Sequence, residues 1–336
     1  MLVFRKYNQV LIKSLHKLYF ISDWNPIIFS KLDNTTKGII FAATTALFWG
    51  FLGIILKIAL KEVDAMTIIW MRFLVAFVFL SAWIAFKKPG EFRIYKKMPP
   101  LLIVAALSLG FNYIGYMKGV EHAGPATAQI LIQSAQVMLV IVGIFIFKEK
   151  LNRKQMLGFF IVTIGFILFY NESIASISMD RDTYDIGVAY TLFGAVIWVV
   201  YAAIQKKLVA KHSAQQLNMI IYLVPTLMFV WFADFGLLAS LSFEMWLLLI
   251  FLGLNTLIAY GSLAEAFKYL DAAKVSIIIT LNPIITITTL TIMAYLEVTI
   301  IETTVISILG FVGAVLVVFG AILAVAKRRK KASLIK

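Results

Sequence analysis

The sequence contains no cysteine, so disulfides, thiolate nucleophiles and cysteine-ligated metals lie outside its chemistry. Histidine is nearly as scarce. His16, His122 and His212 stand far apart in the sequence, which leaves neither an HExxH zinc site nor a histidine-centred catalytic triad. Acidic residues number 17 against 31 lysines and arginines, and charge of either sign makes up only 14% of the 336 residues. Hydrocarbon fills the remainder: the chain is 62% hydrophobic, with a mean hydropathy of +0.93. That balance describes a membrane protein rather than a soluble domain. The formal charge of +14 would suggest nucleic acid only if it were clustered on a folded face, and it lies instead between apolar runs, so no nucleic-acid partner is expected.

A window of about 20 residues picks out ten runs able to cross a bilayer. The first five are Lys37–Leu60, Ala65–Phe86, Pro99–Val120, Gly124–Phe147 and Lys154–Tyr170. After the polar stretch NESIASISMDRDTYD come Ile186–Gln205, Gln215–Leu237, Met245–Phe267, Ala272–Leu296 and Thr303–Ala326. Lysine and arginine collect at both ends of the chain and in every second connection, while the intervening connections are neutral or acidic. Because cytoplasmic loops retain the basic residues, both termini are expected inside the plasma (inner) membrane. The expected organisation is a basic cytoplasmic arm (1–36), a first five-helix repeat (37–170), an extracytoplasmic linker (171–185), a second repeat (186–326) and a basic tail (327–336). In the arm, Phe4, Tyr7, Leu11, Leu15 and Leu18 fall at helical spacing opposite lysines and a histidine. This fits either a helix lying on anionic membrane lipid or a loosely ordered extension.

The two halves echo one another. Trp49 lies eleven residues after Gly38 and eight before Lys57, and Trp198 keeps the same distances from Gly187 and Lys206. IFKEKL ends the fourth span and AYLEVTI the ninth, which pairs Glu149 with Glu297; Gly158 and Gly165 match Gly313 and Gly320. The offset is about 150 residues throughout. Five spans per half is an odd number, so equivalent helices must cross in opposite directions, the inverted repeat from which many carriers build a midplane site. These features, with FKEKLNRKQMLGFFIVTIGFIL and LNPIITITTLTIMAYLEV, resemble the EamA-like branch of the drug/metabolite transporter superfamily. The resemblance spans Lys37 to about Ala326. It implies an all-α polytopic membrane protein with ten transmembrane helices in two inverted five-helix repeats. It also implies movement of small metabolites, often amino acids or related compounds, across a plasma membrane. One departure is Ala135 where the second half has Pro283, so the two halves are not expected to bend alike.

Polar residues inside such spans mark candidate sites, because an unpaired amide in hydrocarbon costs a few kcal/mol. Gln129, Gln133 and Gln136 are spaced four and then three residues apart and share one helix face. Further stripes are Ser108, Asn112 and Tyr116; Thr191, Trp198, Tyr201 and Gln205; Asn255 and Ser262; and, in the ninth span, Ser276 with Thr280 and Asn282 with Thr286. Together these can line a wet cavity with Trp49 and Trp198 as walls, or simply bond helices to one another. No ninth-span residue stands in register with the glutamines, so an asymmetric site is expected. Arg72, about 10 Å deep by helical rise, either attracts a substrate carboxylate or else snorkels to the outer interface or pairs with a neighbouring polar group. Lys57 is near an end and snorkels; Glu265 has Lys268 one turn away as a partner; Glu149 and Glu297 cap or anchor helix ends.

No carboxylate is placed at mid-depth, which weakens coupling through a buried acid, although an ion gradient remains a candidate drive. Asp180, Asp182 and Asp185 fit a solvated loop better than a divalent-ion site. The expected function is secondary-active transport of a small-molecule substrate by alternating access, without cofactor. A facilitative channel or uniporter is the alternative, and an intramembrane enzyme the remote one.

Overall fold

The computed structural model describes residues 32–175, 181–296 and 308–325, and among them it contains helices and no strand. The helices are α1 (Asn34–Ala59), α2 (Ala65–Lys87), α3 (Pro100–Leu131), α4 (Ser134–Phe145), α5 (Arg153–Ala175) and α6 (Arg181–Leu208). They continue as α7 (Ala214–Phe229), the short α8 (Phe235–Ser240), α9 (Phe243–Tyr269), α10 (Ala272–Ile279), α11 (Asn282–Tyr295) and α12 (Ile308–Val325). Among the described residues, six stretches are long and apolar enough to cross a membrane: α1, α2, Pro100–Ala123 of α3, Asp185–Leu208 of α6, Ala214–Phe232 and α9. Residues 1–31 of the basic arm, Glu297 and the basic tail lie outside the described residues, as does part of the acidic linker, while the last residues of the arm already belong to α1.

Local chemistry fixes many of the helix starts. The Asp64 carboxylate accepts the Met66 and Thr67 amides at 2.9 and 3.0 Å, and Ser213 and Ser242 cap α7 and α9 through the Gln216 and Met245 amides. Asn152 and Gln155 form a reciprocal pair, each side chain accepting the other's backbone N–H, at the start of α5. Interior faces then follow composition: outward residues such as Val78, Phe79, Phe160, Ile164, Phe193 and Val196 are exposed hydrocarbon suited to lipid.

The major contacts join a helix before the linker to one after it. α3 packs on α6, α5 on α12, α1 on α9, α2 on α7, and α4 on α10. Small residues let backbones meet along the first of these seams. A Cβ at Gly115 would stand 2.8 Å from Gly194 Cα and the Tyr190 carbonyl oxygen, one at Gly119 would overlap the Thr191 hydroxyl, and one at Gly187 would overlap the Ala123 backbone. Gly320 repeats the device between α12 and α5, where a Cβ would lie 2.7 Å from the Gly158 carbonyl oxygen.

Two expectations about the spans are corrected. The boundary placed between the third and fourth spans, near residues 121–123, is helical, and the interruption falls at Ile132–Gln133. If α3 were straight, Met117 and Gln133 would be about 24 Å apart by helical rise. Both line one cavity, so the element is not straight between them, and Gly124-Pro125 supplies the sequence suited to a bend. The ninth span is likewise two helices, broken at Thr280–Leu281 ahead of Pro283, whose ring nitrogen has no hydrogen to donate. The substitution of Ala135 for Pro283 therefore does not spare the first half its interruption. There the ladder tightens through Ala135 N–H to the Ile132 carbonyl (3.1 Å) and Gln136 N–H to the Gln133 carbonyl (2.9 Å), as in a 3₁₀ turn.

Candidate functional site

The two interrupted segments meet each other at the centre of the bundle. Gln133 Nε2 donates to Asn282 Oδ1 at 2.7 Å, and the Ser276 hydroxyl lies 2.6 Å from the Gln136 carbonyl oxygen and 2.9 Å from Gln136 Oε1. The sequence placed no polar partner in register with the glutamines. The structure corrects this, because the breaks shift the rotational phase of α4 and α11 and bring both ninth-span stripes into use. Gln133 Oε1 is buried with no protein partner among the described residues, an acceptor aimed where a donor is needed.

Beside this junction lies a cavity of about 90 Å³, lined by residues of α1, α2, α3, α4, α6, α9 and α11. Of the residues singled out in the sequence, it gathers Trp49, Arg72, Asn112, Tyr116, Gln133, Gln136, Trp198 and Asn282. Thr280 instead lines a neighbouring, mostly hydrocarbon-walled cavity of about 240 Å³, which shares Gln133 and Gln136 with the first. Tyr201 is fully buried behind the wall, its ring 6.4 Å from Trp198 and 5.7 Å from Tyr260. Asn255 is a helix-to-helix clamp, donating to the Phe48 carbonyl at 2.8 Å, and Ser262 is buried away from the lining. The Gln129 side chain lies outside the described residues.

Tyr113 and Tyr260 also line this cavity, and sequence reasoning passed over both. They stand 147 residues apart, close to the repeat offset, which is the signal that would have found them. Their rings lie 6.1 Å from one another, and Tyr260 sits edge-on to Trp49 at 5.2 Å, while Trp49 meets Trp198 at 5.9 Å. The result is a box of aromatic faces with a polar floor.

One full charge enters that box. Arg72 is 2% exposed, donates from Nε to the Thr256 hydroxyl and from Nη2 to the Tyr113 hydroxyl, both at 3.0 Å, and lies 4.5 Å from the Tyr113 ring centre. Snorkelling to the interface is therefore not its arrangement; local polar pairing is. No carboxylate among the described residues pairs with it, and none lines the cavity. A buried guanidinium held only by hydroxyls and a ring can accept an anionic oxygen pair with little rearrangement.

The end of the bundle carrying the basic loops is closed by bonds. At Lys148, with φ of 54°, the chain turns left-handed and folds Glu149 back toward α10. Its two carboxylate oxygens accept the Ala272 and Ala273 amides at 2.7 and 3.1 Å, the helix-end capping expected of this residue. Close by, Lys206 Nζ donates to the Phe267 carbonyl at 2.8 Å and to that of Leu270, and Gln205 to Asn218 at 3.0 Å. Glu265 meets Gln215 at 3.5 Å and interacts electrostatically with Lys268, as expected, while the Lys268 ammonium lies over the Tyr269 ring.

With that geometry in view, comparison with known proteins is informative. Residues 36–171 and 185–326 each match the EamA-like transporter family. A transporter of Haemophilus influenzae, named as uncharacterized, is 36% identical over 287 residues, covering 85% of this chain and 94% of its own. The inner membrane transporter YhbE of Escherichia coli K12, likewise named uncharacterized, is 33% identical, covering 84% and 89%. A probable amino-acid metabolite efflux pump of Salmonella typhimurium is 23% identical over 197 residues, covering 56% and 61%. A solved crystal structure superposes with a TM-score of 0.70 over 86% of this chain and 96% of the other, at 17% identity, a likeness of fold.

Proposed function

Because this chain belongs to the EamA-like transporter family, and so is a multi-pass membrane transporter and not an enzyme, we propose that it carries small carboxylate-bearing metabolites by alternating access. Amino acids and related compounds are the class the reading favours, with export the direction. The carriers' ten helices would form two inverted five-helix repeats, 37–170 and 186–326, with both termini on the cytoplasmic side of the inner membrane.

The observation that carries this reading is Arg72: a buried cation at the cavity wall without an acidic partner among the described residues. A substrate carboxylate would take the guanidinium, an ammonium or hydroxyl would satisfy Gln133 Oε1, and the aromatic box would accept the side chain. The probable amino-acid metabolite efflux pump of Salmonella typhimurium supports the class and the direction. The test is counterflow in proteoliposomes against amino acids, nucleobases and organic cations, with and without a proton gradient. Accumulation of labelled amino acid, slowed at least about tenfold by Arg72→Met, is the expected result. Uptake confined to organic cations would overturn the reading.

A second reading has its own observation. Among the described residues that line the cavity there is no aspartate or glutamate, so none of them serves as a proton-carrying acid. A facilitative route, uniport or exchange, would give counterflow unchanged by the gradient, whereas coupled export would respond to it.

A further inference from the structure

A third cavity, a cleft of about 420 Å³, opens at the α1–α2 turn, bounded by Leu60, Val63, Asp64, Met66 and residues 117–121 of α3. Its α3 wall carries the Lys118–Glu121 ion pair, 2.7 Å long with side chains 32% and 50% exposed, so the cleft is wet. Met117 lines this cleft and also lines the central cavity, and among the residues bounding the two it is the one they share. It is 2% exposed. One thioether side chain therefore borders both a cleft with charged residues on its wall and the aromatic box. The opposite end differs in kind: Glu149 on α10, Lys206 on two carbonyls and Gln205 on Asn218 close it with bonds between elements.

We propose that Met117 is the barrier on the route between the central cavity and the cleft at the α1–α2 turn, and that it sets the girth of solute able to pass. An unbranched side chain with three rotatable bonds can swing aside without backbone movement, which suits it to a thin gate. This rests on the reading of the central cavity as the transport site, and the test separates the two.

The chain has no cysteine, so a single engineered thiol reports on itself alone. Ala135 lines the central cavity but not the cleft and is 1% exposed. The experiment places Ala135→Cys in the full chain with Met, Ala or Trp at position 117, in right-side-out and inside-out vesicles, and follows reaction with a membrane-impermeant, positively charged methanethiosulfonate. Total thiol after denaturation and gel-filtration profiles in detergent verify folding. The expected result is labelling from the α1–α2 side that rises about tenfold with Met117→Ala and falls about tenfold with Met117→Trp, because thiol reactivity follows access. Should the tryptophan variant misfold, the alanine variant carries the test alone. Labelling from that side at one rate whatever occupies position 117, or labelling from the opposite side only, would overturn the gate while leaving the cavity a solute-reached site. A thiol reached from neither side in any variant would overturn both.

Discussion

Arg72 places its charge by a fork, Nε on Thr256 and Nη2 on Tyr113, so geometry and charge can be separated by substitution. Arg72→Met is expected to lower initial counterflow rates by at least about tenfold through lost carboxylate attraction. Arg72→Lys keeps the charge but loses the planar two-nitrogen fork, and should fall between the parent and the methionine variant. Equal rates for lysine and methionine would mean that the fork, not the charge, matters. Gln133→Leu removes the bond to Asn282, which should cost about 1 kcal/mol of stability as well as slow transport. A double-mutant cycle with Asn282→Ala, read by thermal unfolding in detergent, checks that the two residues are coupled; additive losses would argue against it. The glutamines and Arg72 were legible as anomalies in the sequence because polar groups in oil demand an explanation. Their partners were not, since a contact between residues 133 and 282 depends on helix rotation that hydropathy does not encode. Tyr113 and Tyr260 escaped for a different reason: tyrosine in a span is unremarkable until its ring is seen to face another.

For the elements, the sharpest expectations concern α10 and the α3–α6 seam. α10 runs only from Ala272 to Ile279, and its first amides are satisfied by a side chain from beyond α4. Glu149→Ala should lower stability by about 1 kcal/mol, as for loss of a helix cap. Glu149→Gln retains one acceptor oxygen and should lose less, so identical melting of the two variants would dismiss the capping role. Gly115→Val drives a side chain into Gly194 and the Tyr190 carbonyl and should abolish folded protein in the membrane. Gly53→Ala meets nothing within 4 Å and should be recovered at the level of the parent, which makes it the control. Six of the spans were readable from hydropathy alone. The interruptions at Ile132–Gln133 and Thr280–Leu281 were not, because a hydropathy window averages across each break, where it is the backbone bonding that changes. Pro283 hinted at one break; nothing comparable marks the other.

At the scale of the whole molecule, the alternation of basic and neutral connections was visible in the sequence, and it predicts that tags at both termini will be protected in right-side-out vesicles and cut in inside-out ones. Protease digestion of the two preparations settles the orientation, and cleavage of either tag from the outside would reverse it. The sequence also suggested halves, but not how deeply they interlock. Helices meet chiefly across the linker, α3 with α6 and α5 with α12, through glycine-lined seams where backbone touches backbone. The fragments on either side of residues 176–180 are therefore not autonomous bodies joined by a tether. Produced as two separate polypeptides in one cell, they should recognise each other and co-purify, whereas either made alone should be cleared by quality control, its seam left facing lipid.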